Sequence, residues 1–217
     1  MKAETFFDNF EFLASAPNGV QKLRELILQM AVQGKLVPQD ERDESAFILV
    51  EKIKAEKKRL IKEKKIAKTE PLSPVNSEEI GKVFPENWAY LRLGDSIDFQ
   101  KGKRPETLSE NDGKNPYIDI AAFEQGKYQF FSDDAKKLTL CDENNLLIVC
   151  DGSRSGLVGF GRKGILGSTL AKIDYFGLLE KLYLFYFLKS KFSTSLKNLS
   201  KSLISNTPQQ FSFLTSF

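Results

Sequence analysis

Few residues in this chain of 217 stand in a pattern that could do chemistry near neutral pH. It contains no histidine, which removes the commonest general base and most zinc sites. The acidic pairs at 133–134 and 142–143 lie in polar, turn-like surroundings, which favours solvated turns over a metal-dependent nuclease. The sequence therefore predicts no catalytic residue, no metal site and no cofactor of its own.

The glycine-rich, basic stretch over 152–167 is the strongest chemical signal. Glycines at 159, 161 and 164 have the G-x-G-x-x-G spacing, but a dinucleotide site needs a helix next, and ILGSTLAKI is a poor helix. Gly156 and Gly161 have the P-loop spacing, but Arg162-Lys163 stands where lysine and a hydroxyl residue belong. Two interpretations remain open: a basic loop that reaches DNA phosphates or a groove edge, or a tight hairpin with its arginines in solvent.

Basic residues are grouped along the chain, although the net charge is only +3. Nine basic and three acidic residues lie between 51 and 68. Smaller basic groups follow at Lys101, Lys103 and Arg104, at Arg154, Arg162 and Lys163, and at Lys189, Lys191, Lys197 and Lys201. Such patches are typical of a protein that contacts phosphates on one face, or of solvated lysines. Together with Ser153 and Ser168, the groups at 101–104 and 154–163 are the candidate DNA-binding residues.

Helical periodicity predicts two helices in the first third of the chain. The first covers 17–34, and the second runs from 43 or 45 to 67. A second helix of about 24 residues would be about 36 Å long. We expect the two to pair as a hairpin and to present an apolar stripe that docks a partner, formed by Leu23, Ile27, Leu49, Ile53 and Leu60.

After a proline-containing linker at 69–86, the sequence changes to strand-like segments. WAYLRLGDSIDFQ is typical of a strand-turn element, and 116–123, 127–131 and 145–150 are predicted strands. A helix is predicted over 177–191. The fold class is α+β: an N-terminal helical hairpin over 1–68, then one mixed α/β domain over 87–205 and a tail over 206–217.

Two cysteines nine residues apart indicate reduced thiols in a cytoplasmic protein. The start, MKAETFFDNF, lacks the apolar core of a signal peptide. The most apolar run, at 182–188, is far too short to span a bilayer, so no membrane contact is expected.

The amino-acid sequences of several segments resemble those of the specificity subunits of bacterial type I restriction-modification systems. The closest resemblance lies in NGVQKLRELILQMAVQGKLVPQ at 18–39, which in that family precedes an acidic turn and a lysine-rich helix. FPENWAYLRLGD at 84–95 is similar to the entry of the family's target recognition domain, and QKGKRPE at 100–106 to its early basic loop. DGSRSGLVGFGRKGILGSTLAKI at 151–173 and LYLFYFLKSK at 182–191 resemble its central glycine-rich element and the helix that follows.

The resemblance covers residues 5 to about 205 and implies a non-catalytic protein that reads double-stranded DNA. In that family, two target recognition domains each read half of a split DNA sequence, and helices between them dock methyltransferase subunits. S-adenosylmethionine is expected on those methyltransferase subunits, and a restriction subunit joins the complex.

The C-terminal SNTPQQFSFLTSF departs from the family pattern, and a second recognition domain is missing from the sequence. The expectation is therefore a half-subunit or a truncated remnant. The alternative function is a remnant that only docks the methyltransferase and no longer binds DNA. Two copies could pair their helices antiparallel as a homodimer and read an inverted repeat.

Overall fold

A computed structural model describes residues 3–40, 42–68 and 86–192, together with the backbone of 212–215. Most of the predicted linker at 69–86 and most of the chain after 192 lie outside the described residues. The predicted α+β class is confirmed. The helices are α1 (Ala3–Asp8), α2 (Phe10–Ser15), α3 (Gly19–Ala31), α4 (Ala46–Lys62), α5 (Leu93–Ser96), α6 (Ile120–Gln125) and α7 (Lys181–Phe192). None of the helices in the described ranges is long and apolar enough to cross a bilayer.

The strands form three sheets. They are β1 (Ala89–Arg92), β2 (Asp98–Lys101), β3 (Ser109–Glu110), β4 (Asn115–Ile118), β5 (Phe130–Ser132), β6 (Leu140–Cys141), β7 (Leu146–Val149), β8 (Val158–Phe160), β9 (Gly164–Leu166), β10 (Leu170–Asp174) and β11 (Ser212–Thr215). The central sheet has the order β2-β10-β7-β8, and a second sheet has the order β3-β5-β4-β9-β6. Strand β11 pairs antiparallel with β1.

Strand β7 separates two hydrophobic cores, because successive side chains of a strand point to opposite faces. Leu146 and Ile148 face a core that also contains residues of α4, α7 and β1. Leu147 and Val149 face a second core with α6 and the end of β9. The first half of α4 therefore belongs to the same core as the central sheet.

The predicted N-terminal helices are present, but their main packing partners are not each other. Helix α4 packs against β1 and α5, while α3 packs against α2 and α7. Leu49, Val50 and Ile53 of α4 belong to the core that also contains Ala89 and Leu91 of β1, and Ile53 is completely buried. Helix α4 also has 17 residues, so it is about 25 Å long rather than 36 Å.

The predicted strand over 116–123 is only half correct. Strand β4 ends at Ile118, and helix α6 follows at once. The Asp119 carboxylate starts this helix, because it accepts a hydrogen bond from the Ala122 N–H at 2.8 Å. Gly126 ends it in the left-handed conformation, with φ 70°. A capped start and a glycine end thus turn an apolar run into a helix.

Candidate nucleic-acid interface

Three loops meet at one edge of the central sheet. Lys101 at the end of β2 is paired with Ala171 near the start of β10. Leu170, which begins β10, is paired with Val149 at the end of β7. The loops at 101–104, 151–156 and 167–169 therefore leave the sheet on the same side, and we call them the three-loop edge. They contain six of the eight candidate DNA-binding residues: Lys101, Lys103, Arg104, Ser153, Arg154 and Ser168.

Close backbone contact joins two of these loops. A Cβ atom on Gly102 would lie only 2.2 Å from the carbonyl oxygen of Gly167, so only glycine fits there. The Gly102 N–H donates to the Leu170 carbonyl at 2.9 Å, and the Lys103 N–H donates to the Leu166 carbonyl at 3.2 Å. The first basic loop is thus fixed directly on the end of the glycine-rich stretch.

The third loop is fixed from the second sheet. The Gly167 N–H donates to the Ile118 carbonyl at 3.0 Å. The Ser168 N–H donates to the hydroxyl oxygen of Tyr117 at 3.2 Å. Because β4 and β9 run parallel there, with Ile118 beside Leu166, both sheets contribute to the same edge.

The charges at this edge are arranged as cations beside acids. Lys101 Nζ lies 2.9 Å from a carboxylate oxygen of Asp151, and both side chains are partly exposed. Arg154 Nε lies 3.6 Å from a carboxylate oxygen of Glu124 on α6. Lys103 and Arg104 are exposed. The edge therefore presents basic side chains to solvent, two of them with an acidic neighbour.

Cys150 lies directly below the second loop. Burial raises the pKa of its thiol to about 11, while the charge of Lys101 lowers the pKa and that of Asp151 raises it. The thiol stays protonated near neutral pH, because a thiol ionises only near its pKa. Cys150 therefore serves as a small core residue and not as a nucleophile.

Arg162 and Lys163 are not at the three-loop edge. Strand β8 starts with Val158 beside Ile148 and ends with Phe160 beside Leu146, so the turn after β8 lies at the opposite end of β7. The Arg162 guanidinium lies against Gly126, where an added Cβ would be 3.3 Å from its Cζ. Within the described part of the chain, Arg162 Nε is buried and has no hydrogen-bond partner. The loop with Arg154 thus lies beside the loop at 101–104, whereas the turn with Arg162 begins at the other end of β7.

Three of the five predicted docking residues are buried in the fold of this chain. Leu23 is buried on α3, and Leu49 and Ile53 are buried on α4, so none of them offers a surface to a partner. Ile27 and Leu60 are half-buried. The apolar stripe of α4 is real, but the sheet of the same chain covers most of it.

The sequence interpretation missed Asp151, Glu124 and Tyr117. Asp151 could have been found, because it stands only three residues before Arg154 in the same loop. Glu124 and Tyr117 reach the edge through strand pairing and the turn into α6, and no local pattern indicates this.

Comparisons with known proteins agree on one family. The family model described as "Type I restriction modification DNA specificity domain" matches residues 85–211. The chain is 37% identical over 110 residues to the type I restriction enzyme MjaVIII specificity subunit of Methanocaldococcus jannaschii, covering 49% of this chain and 26% of that protein. It is 35% identical over 161 residues to the EcoEI specificity subunit of Escherichia coli, covering 66% of this chain and 27% of that protein.

A solved structure, the HsdS subunit from Thermoanaerobacter tengcongensis, is similar at 18% identity with a TM-score of 0.49, over 90% of this chain and 44% of that chain. The matched part of this chain spans about a quarter of the length of the MjaVIII and EcoEI specificity subunits.

Proposed function

Because this chain belongs to the family of type I restriction-modification DNA specificity domains, we propose that it is the DNA-reading module of such a complex. It recognises one half of a split target in double-stranded DNA and positions methyltransferase subunits on it. It does no chemistry itself. The methyltransferase binds S-adenosylmethionine, and a restriction subunit joins through the complex.

The observation that carries this proposal is the meeting of basic loops at the three-loop edge. Lys101, Lys103, Arg104 and Arg154 come from two loops separated by about fifty residues, yet strand pairing brings the loops together. A row of basic side chains at one edge can follow a phosphate backbone. Such contacts orient a protein on the duplex but do not read sequence.

Base reading needs a side chain that enters a groove. Arg154 is the best candidate, because it is carried by an exposed loop and its side chain is 61% exposed. An arginine can bind guanine through two parallel hydrogen bonds in the major groove. Ser153 beside it is exposed as well and can donate or accept a hydrogen bond.

Docking of the methyltransferase would use other surfaces than the buried stripe of α4. Ile27 and Leu60 remain candidate docking residues, since they are only half-buried. Phe47 and Ile48 at the start of α4 are 59% and 49% exposed and are further candidate docking residues. A homodimer through the same helices remains part of the proposal for assembly.

The proposal is tested by duplex binding. The full chain is used to select a preferred site from a randomised duplex library, and affinity is then measured by fluorescence anisotropy between 50 and 200 mM salt. Contacts to about four phosphates predict a log–log salt slope of about −3.6. Absence of duplex binding, with retained binding to a methyltransferase subunit, would contradict it and favour the docking-only remnant.

A pair of variants then locates the reading surface. Arg154→Ala should weaken binding to the selected site by about 1–3 kcal/mol and relax its specificity. Lys163→Ala removes the same charge at the opposite end of β8 and should have a smaller effect. Equal losses for both variants would show that the three-loop edge is not the reading surface.

A further inference from the structure

We propose that Glu124 is a specificity-determining residue. Its carboxylate holds Arg154 away from phosphates until a matching base takes the place of the carboxylate. This inference rests on the proposed function. Glu124 belongs to α6, outside the three loops, and reaches their edge only through its side chain.

Glu124 is carried by a helix that is capped and packed into the second core. The helix that carries it is closed at both ends, by Asp119 at its start and by Gly126 at its end. Ala122 and Phe123 of this helix are buried, so the helix is fixed in the second core. The Glu124 side chain is 23% exposed, although the residue as a whole is exposed. The carboxylate is therefore a fixed charge, whereas Arg154 extends from a loop.

The contact between Glu124 and Arg154 is weak. The distance of 3.6 Å between Arg154 Nε and the carboxylate oxygen is longer than a hydrogen bond of good geometry. Ion pairs with an exposed partner contribute little and are weakened by salt. Glu124 thus orients the guanidinium without locking it, and a ligand with better geometry can displace the carboxylate.

Glu124 affects the binding of phosphate and of guanine to Arg154 differently. A phosphate that approaches Arg154 must also approach the carboxylate of Glu124, and the two negative charges repel each other. A guanine edge carries no net charge and offers two acceptors to the guanidinium. Glu124 therefore opposes phosphate binding by Arg154 more strongly than it opposes guanine binding.

The test uses Glu124→Gln in the full chain, with Glu143→Gln as a matched control. Both changes remove one negative charge, but Glu143 lies in an exposed turn before β7, at the far end from the three-loop edge. Binding is measured to the duplex selected by the wild-type chain and to a scrambled duplex, from 50 to 200 mM salt. For E124Q we expect tighter binding to the scrambled duplex, and a log–log salt slope that is steeper by about 0.9, which corresponds to one added phosphate contact.

The ratio of the two affinities should fall at least about fivefold in E124Q and stay unchanged in E143Q. The double variant E124Q/R154A separates a role through Arg154 from a general charge effect. If Glu124 acts through Arg154, the double variant has the same salt slope as R154A alone. A slope that steepens by the same amount without Arg154 overturns the proposal.

The remaining outcomes are distinguishable from failure of the proposed function. If the wild-type chain selects no duplex from the library, the proposed function fails and the inference fails with it. If the wild-type chain selects a site and E124Q has the same affinity ratio and salt slope as wild type, only the inference about Glu124 fails.

Discussion

Replacing Gly102 by alanine tests whether backbone contact holds the three-loop edge together. An added Cβ would lie 2.2 Å from the Gly167 carbonyl oxygen and 2.3 Å from that of Leu166. Carbon atoms pack at about 3.5–4.0 Å from their neighbours, so the two backbones would have to separate by roughly 1.3–1.8 Å. Neither atom belongs to a flexible side chain, and the strain cannot be relieved by a rotamer change.

The cost follows from what must move. Separation weakens two hydrogen bonds, from the Gly102 N–H to Leu170 and from the Lys103 N–H to Leu166. Each contributes about 0.5–1.5 kcal/mol net, and overpacking of a well-packed site costs about 1–3 kcal/mol. Because relieving the clash is what breaks the bonds, these costs overlap, and we expect Gly102→Ala to lower the free energy of unfolding by about 2–4 kcal/mol.

The assay is urea unfolding at equilibrium, with Gly152→Ala as the control. Gly152 has nothing within 4 Å of an added Cβ, but its φ of 87° strains an L-residue. The control should therefore cost only about 1–2 kcal/mol. Gly102→Ala should also weaken duplex binding in its folded fraction, because Lys101 and Lys103 flank the displaced residue. A loss of less than about 0.5 kcal/mol for Gly102→Ala would refute the close contact.

Three further experiments test the charge of Asp98, the core packing of α4 and the burial of the two thiols. Burial and, less strongly, the charge of the cross-strand Asp174 raise the pKa of Asp98; protonation therefore stabilises the folded state as pH falls through that raised pKa. Asp98→Asn should then stabilise by about 0.2–1 kcal/mol at pH 7 and by less at pH 4 in urea unfolding, and an equal gain at both pH values would contradict this. Ile53→Ala, at a fully buried site, should cost about 2–5 kcal/mol and Leu60→Ala, at a half-buried site, clearly less; similar costs would argue against the packing of α4 on the sheet. The two cysteine thiols are buried with pKa values raised to about 11, so a thiol reagent at pH 8 should label them only at the rate of unfolding, and rapid labelling of native protein would speak against their burial.

Local patterns predicted two of the four strands of the central sheet, β2 and β7. The apolar run at 145–150 became β7, and the glycine-rich basic loop after it lies where a buried strand ends, as expected. The weak helical character of ILGSTLAKI was also a correct indication, because β9 and β10 occupy it. These features depend on neighbouring residues alone, which a sequence displays directly.

The errors arose where distant segments decide the outcome. Arg154 and Arg162 are only eight residues apart, but β8 lies between them, so the second arginine leaves the backbone at the other end of that strand. The apolar run after Ile118 was assigned to a strand, and the capping carboxylate of Asp119 made it a helix. The stripe of α4 correctly indicated burial, yet periodicity cannot say whether a helix or a sheet covers it.

Hydrogen bonds hold the helical segment to residues 87–94. The Trp88 indole N–H donates to the Gln39 side-chain oxygen at 2.8 Å, and the Ala46 N–H donates to the Asn87 carbonyl at 3.0 Å. Farther along α4, the Lys57 ammonium donates to the Gly94 carbonyl at 2.7 Å.

Asn87 and Trp88 lie just before β1, and Gly94 lies in α5, just before β2, the strand that ends at Lys101. Because α4 also shares its core with β1 and β7, a rotation of the helix would have to move the sheet with it. On the proposed function, a methyltransferase bound to the exposed side of the helices would therefore orient the reading loops without touching them. Spacing between the enzyme and its target base would then be set by packing inside this chain.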